Sequence, residues 1–471
     1  MMEGLPKGWI VTDLENCTQI LDKYRKPISL KERNKRIADK KEEDLYPYYG
    51  ATSQVGYIDG FLIEGRFVLI GEDGAPFFDS SKNIAYIVDG KIWVNNHAHI
   101  LDSLTDNNFL CHFLNQFDYT GYVTGTTRLK LTQTRLKQIQ CPFPPFNEQK
   151  RIAAKLDKII PRIDAIKERL DKVPTIIKRF RQSVLTAAVT GKLTEKWREE
   201  HPEVDKTEML LDEISVEKYK IPDSWSFVKL NKRIAKIQAG KNFSCPEIPV
   251  TCKTVGIVKI SAVTWDKFNP KETKTVQDQS NIHPEFFIKK NDFLISRANT
   301  IELVGASVIV DEINYRIMIS DKVWRVYFYE IDKKFVHYYL KSSKGRNEIE
   351  VRSSGSQLSM RNISQKAFRD IDIPLPPFEE QKEIVRQVDN LFTIADNLET
   401  HYQNAKAKVD KLTQSVLAKA FRGELVPQDS NDEPAEKLLE RIQEEKAKME
   451  TAAKKKKKTK KKPAKKKKKA G

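Results

Sequence analysis

Only five cysteines occur in 471 residues, Cys17, Cys111, Cys141, Cys245 and Cys252, and no two form a C-x-x-C pair. An odd, scattered set argues against a disulfide framework and a cysteine-bound zinc, leaving reduced thiols. Long apolar runs are missing as well: none approaches the roughly 20 residues that cross a bilayer. Met1 to Trp9 lacks the basic-then-apolar pattern of a targeting segment, so a cytoplasmic protein with no membrane association is expected. Neither G-x-x-x-x-G-K-[ST] nor G-x-G-x-x-G is present, which leaves no phosphate-cradling loop for a nucleotide. His97-x-His99 comes nearest to a metal site. Two imidazoles without a third ligand at fitting spacing point instead to packing or a local hydrogen bond. No catalytic residue and no metal ligand is assigned.

Acid is absent from one stretch. Between Lys454 and Lys469 stand 13 lysines and no Asp or Glu; removing those 13 charges from the formal +18 leaves +5 for the rest. A block of like charges is usually solvated and disordered. Its alternative role is sequence-independent, salt-sensitive attraction to DNA phosphates, which confers no specificity. Bulk charge therefore does not define this protein, and organisation has to.

What the chain does have is an internal repeat. Pro142-Phe143-Pro144-Pro145-Phe146-Asn147-Glu148-Gln149-Lys150 is matched by Pro374-Leu375-Pro376-Pro377-Phe378-Glu379-Glu380-Gln381-Lys382, at an offset of 232. The register holds through Asp157 and Asp389, Ser183-Val184-Leu185 and Ser415-Val416-Leu417, and Gly191 and Gly423. Leu5-Pro6-Lys7-Gly8-Trp9 is echoed by Ile221-Pro222-Asp223-Ser224-Trp225 at an offset of 216. Between these points the halves diverge, so two similar arms carry two different heads.

The repeated arms follow a heptad rule. Ile152, Leu156, Ile159, Ile163, Ile166, Leu170, Val173, Ile177, Phe180 and Val184 alternate spacings of 4 and 3. Ile384, Val388, Leu391, Ala395, Leu398, Tyr402, Ala405, Val409, Leu412 and Val416 repeat them. A narrow apolar stripe sustained over about five heptads predicts a coiled coil, each helix being about 60 Å long. Since a globular segment intervenes, the two should lie antiparallel. Asn147 is suited to cap the first helix, Glu379 and Glu380 the positive end of the second, and Gly191 and Gly423 the C-terminal ends. Pro161 and Pro174 predict a bend or break in the first arm. The competing reading has each stripe buried against its own neighbouring domain.

Both heads, about 5–145 and 221–373, show short strand-like runs such as Phe67-Val68-Leu69-Ile70 and Val323 to Tyr329, separated by turns. The expected class is mixed α/β: two globular domains separated by two long antiparallel coiled-coil helices with a pseudo-twofold repeat. Some loops offer amide, hydroxyl and guanidinium groups suited to phosphates and base edges. Candidate DNA contacts are Thr52, Ser53 and Gln54, then Thr126, Thr127 and Arg128 in the first head; Arg297, Asn299, Thr300, Ser356 and Gln357 serve in the second. Gly71-Glu72-Asp73-Gly74 is a further polar loop. Taken singly, each could be an ordinary turn.

In this order and duplicated, the motifs carry a resemblance. Leu5-Pro6-x-Gly8-Trp9, Tyr48-Tyr49-Gly50-Ala51, Val68-Leu69-Ile70-Gly71-x-x-Gly74, Gly125-Thr126-Thr127-Arg128-Leu129 and the two Pro-Pro-x-x-Glu-Gln runs come together, with Asp292-Phe293-Leu294-Ile295-Ser296-Arg297 in the second half. Up to about Pro427 the chain resembles the specificity subunits of type I restriction–modification systems. The resemblance implies two target-recognition domains, 1–145 and 221–375, each reading one half of a bipartite double-stranded DNA site. It implies spacer helices over 146–190 and 376–426, a linker at 191–220 and a lysine-rich tail at 427–471, disordered at its end. Half-sites about one helical turn apart, near 34–36 Å, would present one face of the duplex. Expected partners are two methyltransferase (modification) subunits and two restriction/translocase subunits, docked through Ile152, Leu156, Ile163, Leu170, Ile177, Val184, Ile384, Val388, Leu391, Leu398, Val409, Leu412 and Val416. S-adenosylmethionine, ATP and Mg would act in those partners, with no cofactor in this chain. Phe143-Pro144-Pro145-Phe146 resembles the Asn/Asp-Pro-Pro-Tyr/Phe motif of amino-methyltransferases, but Phe143 and Leu375 replace its amine acceptor. Alternatives are a specificity subunit of another multi-subunit restriction–methylation system, a fragment of a fused restriction–methylation protein, and a coiled-coil scaffold whose heads bind protein.

Overall fold

The structure, a computed structural model, describes residues 4–79, 82–204, 219–357 and 360–459; the side chains of Ser356 and of 449–459 lie outside that description. The chain divides into two units, Met1–Leu170 with Ala405–Gly471, and Asp171–Asn404. Each unit thus holds one head and a length of both arms.

The first head contains β1 (Ile10–Asp13), β2 (Thr18–Ile20), β3 (Tyr46–Tyr49), β4 (Gln54–Ile58), β5 (Ile63–Gly71), β6 (Ala85–Val94), β7 (Ala98–Ser103), α1 (Asn107–Gln116), β8 (Val123–Thr124), β9 (Lys130–Leu131), α2 (Gln133–Lys137) and β10 (Gln140–Phe143). Six strands form one sheet in the order β2-β7-β5-β6-β3-β4, in which only β3 and β6 run parallel. Phe67-Val68-Leu69-Ile70 is apolar without interruption because this sheet is covered on both faces. Val68 and Ile70 join the α1 residues Phe109, Leu110, Phe113 and Leu114 in one cluster. Phe67 and Leu69, pointing the other way, pack with Ile92, Val94 and Ile100.

After the first arm, α3 (Phe146–Val189), the second head contains β11 (Ser226–Lys229), β12 (Ile234–Ala239), β13 (Val255–Val258), β14 (Thr273–Val276), β15 (Phe293–Ser296), β16 (Ala298–Asn299), β17 (Ser307–Ile309), β18 (Arg316–Met318) and β19 (Val323–Phe328). It continues with α4 (Lys333–Lys341), α5 (Ser343–Arg352), β20 (Ser354–Gln357), β21 (Met360–Asn362), α6 (Gln365–Arg369) and β22 (Asp372–Leu375); the second arm α7 (Phe378–Phe421) and a further helix α8 (Ala435–Thr459) follow. A four-stranded sheet β12-β19-β15-β17 and two three-stranded ones, β14-β13-β18 and β16-β21-β20, replace the single large sheet of the first head. Again the central strand is buried on both sides: Phe293 and Ile295 face one cluster and Leu294 the other.

Each head joins its arm through one frame, found in both units. β1 pairs antiparallel with β10, and β11 with β22, so the start of a head is clamped to its last strand. The prolines that follow these last strands stop the ladder and start the arm, whose first bonds run from Gln149 N to the Pro145 carbonyl and from Gln381 N to that of Pro377, both 3.0 Å. Gln149 then donates to the Pro144 carbonyl (2.8 Å) and accepts from the Asp106 backbone (3.1 Å). Gln381 does the same with Pro376 and Asp332, both at 2.8 Å. Asp106 and Asp332 are in turn the N-caps of α1 and α4. The Pro-Pro-x-x-Glu-Gln run is therefore a joint between arm and head.

Within each unit the two arm lengths run antiparallel. In the first, Arg151 donates to Asp432 (2.6 Å) and Lys167 to Thr413 (3.3 Å), so ascending one arm descends the other. In the second, Arg198 reaches Glu380 (2.6 Å) and Arg181 reaches Asp396 (2.5 Å). Ile152, Leu156, Ile163, Ile177, Val184, Ile384 and Val388 are buried. Leu170, Leu391, Val409 and Val416 are half-buried, while Ile166, Leu398 and Leu412 are exposed. Ile152 and Leu156 belong to the first head's core cluster, and Val184, Ile384 and Val388 to the second's.

Three expectations need correction. Helix α3 runs through Pro161 and Pro174 without a break. Proline interrupts one ladder bond, and the bonds on either side keep the helix intact. Asn147 lies inside the helix, which begins at Phe146, and its side chain bonds Asp432. The region after Pro427 is not merely a tail: α8 buries Ala435, Leu438 and Ile442 in the first unit's core. The helical backbone extends to Thr459, and the end of the tail, residues 460–471, for which disorder is expected, lies outside the described residues. No described helix is long and apolar enough to cross a membrane.

Candidate nucleic-acid interface

The first head gathers its polar loops at one end of the large sheet. The β3–β4 turn is closed by a Gly50 N to Ser53 carbonyl bond of 2.9 Å, leaving Thr52, Ser53 and Gln54 exposed. Tyr86 Oη donates to the Gly50 carbonyl at 2.7 Å, fixing that turn to β6. The 71–74 loop lies against it, since a Cβ built on Gly71 would stand 3.0 Å from the Ala51 carbonyl oxygen. The β8–β9 hairpin follows: Gly74 N donates to the Leu129 carbonyl (3.0 Å) and Leu131 N to that of Glu72 (2.7 Å). At its tip Thr126, Thr127 and Arg128 are exposed, and Arg128 Nη2 lies 3.0 Å from Asp73 Oδ1 and 3.2 Å from His97 Nδ1. Sequence positions 50, 73 and 128 thus form one polar surface.

Beneath it sits a charge cluster that local sequence reading could not assemble. Asp22, Glu72 and His99 bring ligand-type atoms within 4.8 Å of one another. Arg25 pairs with both Asp22 and Glu72, and Lys130 reaches Glu72 at 3.0 Å. His99, 1 % exposed, directs Nδ1 to Asp22 (2.6 Å) and Nε2 to the Leu131 carbonyl (2.9 Å). Burial alone would raise the Asp22 carboxyl, but the His99 bond and the charges of His99 and Arg25 hold it below its ordinary value. Glu72 is likewise held low against its burial, by Arg25 and Lys130. His97 and His99 do not converge: one serves Asp73, the other Asp22. With two cations already on the carboxylates, the cluster is suited to supporting the 71–74 and 130–131 segments from below.

In the second head the candidates meet in a ribbon. β16 pairs with β21 and β21 with β20, which places Asn299, flanked by Arg297 and Thr300, one strand away from the Gln357 strand. Arg297 and Gln357 are exposed. Asn299 is half-buried: its amide donates to Thr264 Oγ1 (3.2 Å) and its oxygen accepts from Thr300 N (2.9 Å), so it shapes the turn. Thr300 Oγ1 is buried and has no hydrogen-bond partner among the described residues. Ser356 lies in β20. Arg361 was not singled out in the sequence, yet it ties the ribbon together by donating to the carbonyls of Gly355 (2.7 Å) and Ser353 (2.5 Å).

The structure extends the repeat upstream of its visible start. In both heads a hairpin leads to a short helix capped by a hydroxyl: Thr132 accepts from Arg135 N (3.4 Å), and Ser364 from Ala367 N (3.1 Å). Thr132-Gln133 and Ser364-Gln365 keep the offset of 232 and were the available signal.

Two unlike polar loop surfaces, each built on the same joint to a paired arm, define a class of duplicated recognition proteins. A family model described as the type I restriction modification DNA specificity domain matches residues 10–175 and again 222–407. The chain belongs to that family. It is 32% identical over 336 residues to the type I restriction enzyme EcoBI specificity subunit of Escherichia coli, covering 69% of this chain and 68% of that one. It is 31% identical over 365 residues to the EcoKI specificity subunit of Escherichia coli strain K12, covering 74% and 73%. The crystal structure of the HsdS subunit from Thermoanaerobacter tengcongensis matches with a TM-score of 0.53 at 20% identity, over 90% of this chain and all of that one. At that identity the likeness concerns the fold.

Proposed function

We propose that this chain is the DNA sequence-specificity subunit of a type I restriction–modification enzyme. Each head, about 1–145 and 221–375, reads one half of a bipartite duplex site, and the paired arms set the spacing and dock two modification subunits. The observation that carries the reading is one head-to-arm joint occurring in both units under two different loop surfaces. A duplicated mount with unlike faces suits a reader of two unlike half-sites. Direct contacts are assigned to Thr52, Ser53, Gln54, Thr126, Thr127 and Arg128 in one head and to Arg297, Ser356 and Gln357 in the other, with Asn299 and Thr300 shaping the second surface.

The chain itself is read as non-catalytic and cytoplasmic. Adenine methylation and ATP-dependent cleavage belong to its partners, two modification and two restriction subunits, with S-adenosylmethionine, ATP and Mg bound there. The test is methylation by the purified chain alone and with its modification subunit, read by sequencing the modified positions. Methylation of one split sequence only when both proteins are present is expected. Methyl transfer by the single chain, or methylation without sequence preference by the pair, would overturn the reading.

A further inference from the structure

Between β2 and β3 the first head carries a segment of lopsided charge. From Lys23 to Lys41 stand nine basic residues against two acidic ones, a surplus larger than the +5 left for the whole chain outside its lysine tail. At its centre is a helix, Leu30–Ile37, capped by Ser29 Oγ, which accepts from Glu32 N at 3.2 Å. Two arginines hold this helix to the edge strand β4 and its surroundings. Arg33 lies over the Tyr48 ring at 4.6 Å and donates to the Val55 carbonyl at 3.2 Å. Arg36 lies over the Trp93 ring at 5.1 Å and donates to Asp59 at 2.7 Å, which holds that carboxyl below its ordinary value. Both rings are buried, so these two guanidiniums serve the fold. At about 3.6 residues per turn, Lys31 and Lys35 fall on the opposite face of the helix. Both are exposed and have no hydrogen-bond or ion-pair partner among the described residues. Arg33 meets Val55 and Arg36 meets Asp59, so helix and strand ascend together. The start of the helix therefore lies at the end of β4 that adjoins the exposed Thr52-Ser53-Gln54 turn, and Ile28 N donates to Tyr48 Oη at 3.1 Å to hold it there.

We propose that the outer face of this helix, Lys31 with Lys35, is a phosphate clamp that seats the Thr52-Ser53-Gln54 turn on its DNA half-site. It rests on the DNA-recognition reading above and adds to the loops a second contact element of different chemistry. Like charges at i and i+4 disfavour a helix, and no acid of the head is paired with these two; a polyanion relieves them. Lysine offers a compact, strongly hydrated charge, which suits a phosphate better than the paired hydrogen bonds of a base edge. Among polyanions, duplex DNA is favoured because the helix begins beside exposed hydroxyl and amide groups, inside a stretch matched by the DNA specificity family. Such contacts fix the orientation of a head on the duplex and carry no sequence information themselves.

The test uses the full chain with its modification subunits, binding a duplex that contains the methylated sequence and a scrambled one between about 50 and 200 mM salt. One variant combines Lys31→Gln with Lys35→Gln, and a second combines Lys31→Arg with Lys35→Arg. If both lysines meet phosphates, the glutamine variant's plot of log affinity against log salt loses about 2 in slope. Both duplexes weaken by the same factor, and the arginine variant keeps the slope. Thermal unfolding and the methylated sequence are unchanged in both variants, since the two side chains pack on nothing and read no base. An unaltered slope, a loss confined to the specific duplex, a changed half-site, or an arginine variant like the glutamine one would overturn the proposal. So would weaker assembly with the modification subunits at an unaltered slope, which would make the helix a protein contact. Absence of any sequence preference in the unaltered complex would instead defeat the recognition reading, while the slope comparison still reports on the helix.

Discussion

Trp9 Nε1 donates to Glu148 Oε2 at 3.0 Å across 139 positions, and Trp225 Nε1 donates to Glu380 Oε2 at 2.8 Å across 155. Both carboxylates are 1 % exposed. One hydrogen bond thus ties the first turn of each head to the first turn of its own arm. Buried carboxylates need such donors, because an unpaired charge away from water costs several kcal/mol. Burial already pushes the Glu148 carboxyl above its ordinary value against the Trp9 and Gln428 bonds.

Replacing Trp9 by Phe keeps an aromatic ring and removes the donor. Among the described residues, Gln428 (2.7 Å) then remains as the side-chain donor to Glu148. A loss of about 2–3 kcal/mol is expected in denaturant unfolding. Trp225→Phe should cost less, since Glu380 retains Arg198 at 2.6 Å and Thr194 at 2.7 Å. Equal losses at the two sites would show that the bond is not what matters.

Each arm closes on a glycine in the left-handed region, Gly191 at φ +78° and Gly423 at φ +74°. A Cβ on Gly191 would lie 2.2 Å from Pro222 Cγ, and one on Gly423 would lie 2.3 Å from Pro6 Cγ. Clash and backbone strain add together, so Gly191→Ala and Gly423→Ala should each destabilise by about 2 kcal/mol or more. Thermal unfolding checks this; a neutral result would mean that the proline side can move away.

Burial drives His337 down to about 3, with Lys341 and Lys334 acting in the same direction and Asp266 opposing them. Ser307 Oγ stands 3.0 Å from its Nδ1. In the unfolded chain the ring takes up a proton near pH 6.5, whereas the folded one does so only near 3. The unfolded state therefore binds more protons between these values. Stability from the neutral ring is complete above about pH 6.5 and falls as pH drops toward 3, by up to about 1.4 kcal/mol per pH unit. His337→Asn should flatten that dependence, measured as unfolding midpoints from pH 7 to about 4.5. An unchanged slope would place the acid sensitivity elsewhere.

The arms were legible because heptad spacing depends on residue type alone, and Ile152, Leu156, Ile384 and Val388 are buried as that spacing requires. Leu398, at 52 % exposure, is apolar in sequence yet uncovered; periodicity reports which face a residue lies on and not what covers it. Helix α8 escaped notice because its apolar contacts, Ala435, Leu438 and Ile442, are few among nine charges. The loop surface of the first head was readable only in pieces. Glu72 follows β5 and His99 lies in the neighbouring β7, while Asp22 and Arg25 come from the turn after β2, so their meeting depends on sheet order β2-β7-β5. Pro161 and Pro174 each remove one ladder bond, a loss the long helix absorbs without a break.

Arg128 and Arg297 separate base reading from mere attraction. Both are exposed, and each belongs to a different unit. Arg128 is held toward Asp73 and His97, a geometry that limits the freedom it would lose on meeting guanine. A bidentate base contact is worth about 1–3 kcal/mol of discrimination, or roughly 5- to 150-fold. Arg128→Ala, assembled with the modification subunits, should relax one half-site and leave the other intact; Arg297→Ala should do the converse. Methylation sequencing over a randomised site library reads both halves at once. If either variant weakens all sequences alike and lowers the salt slope by about 1, that arginine meets phosphate instead. If one variant relaxes both half-sites, the heads do not read independently and the modular assignment fails.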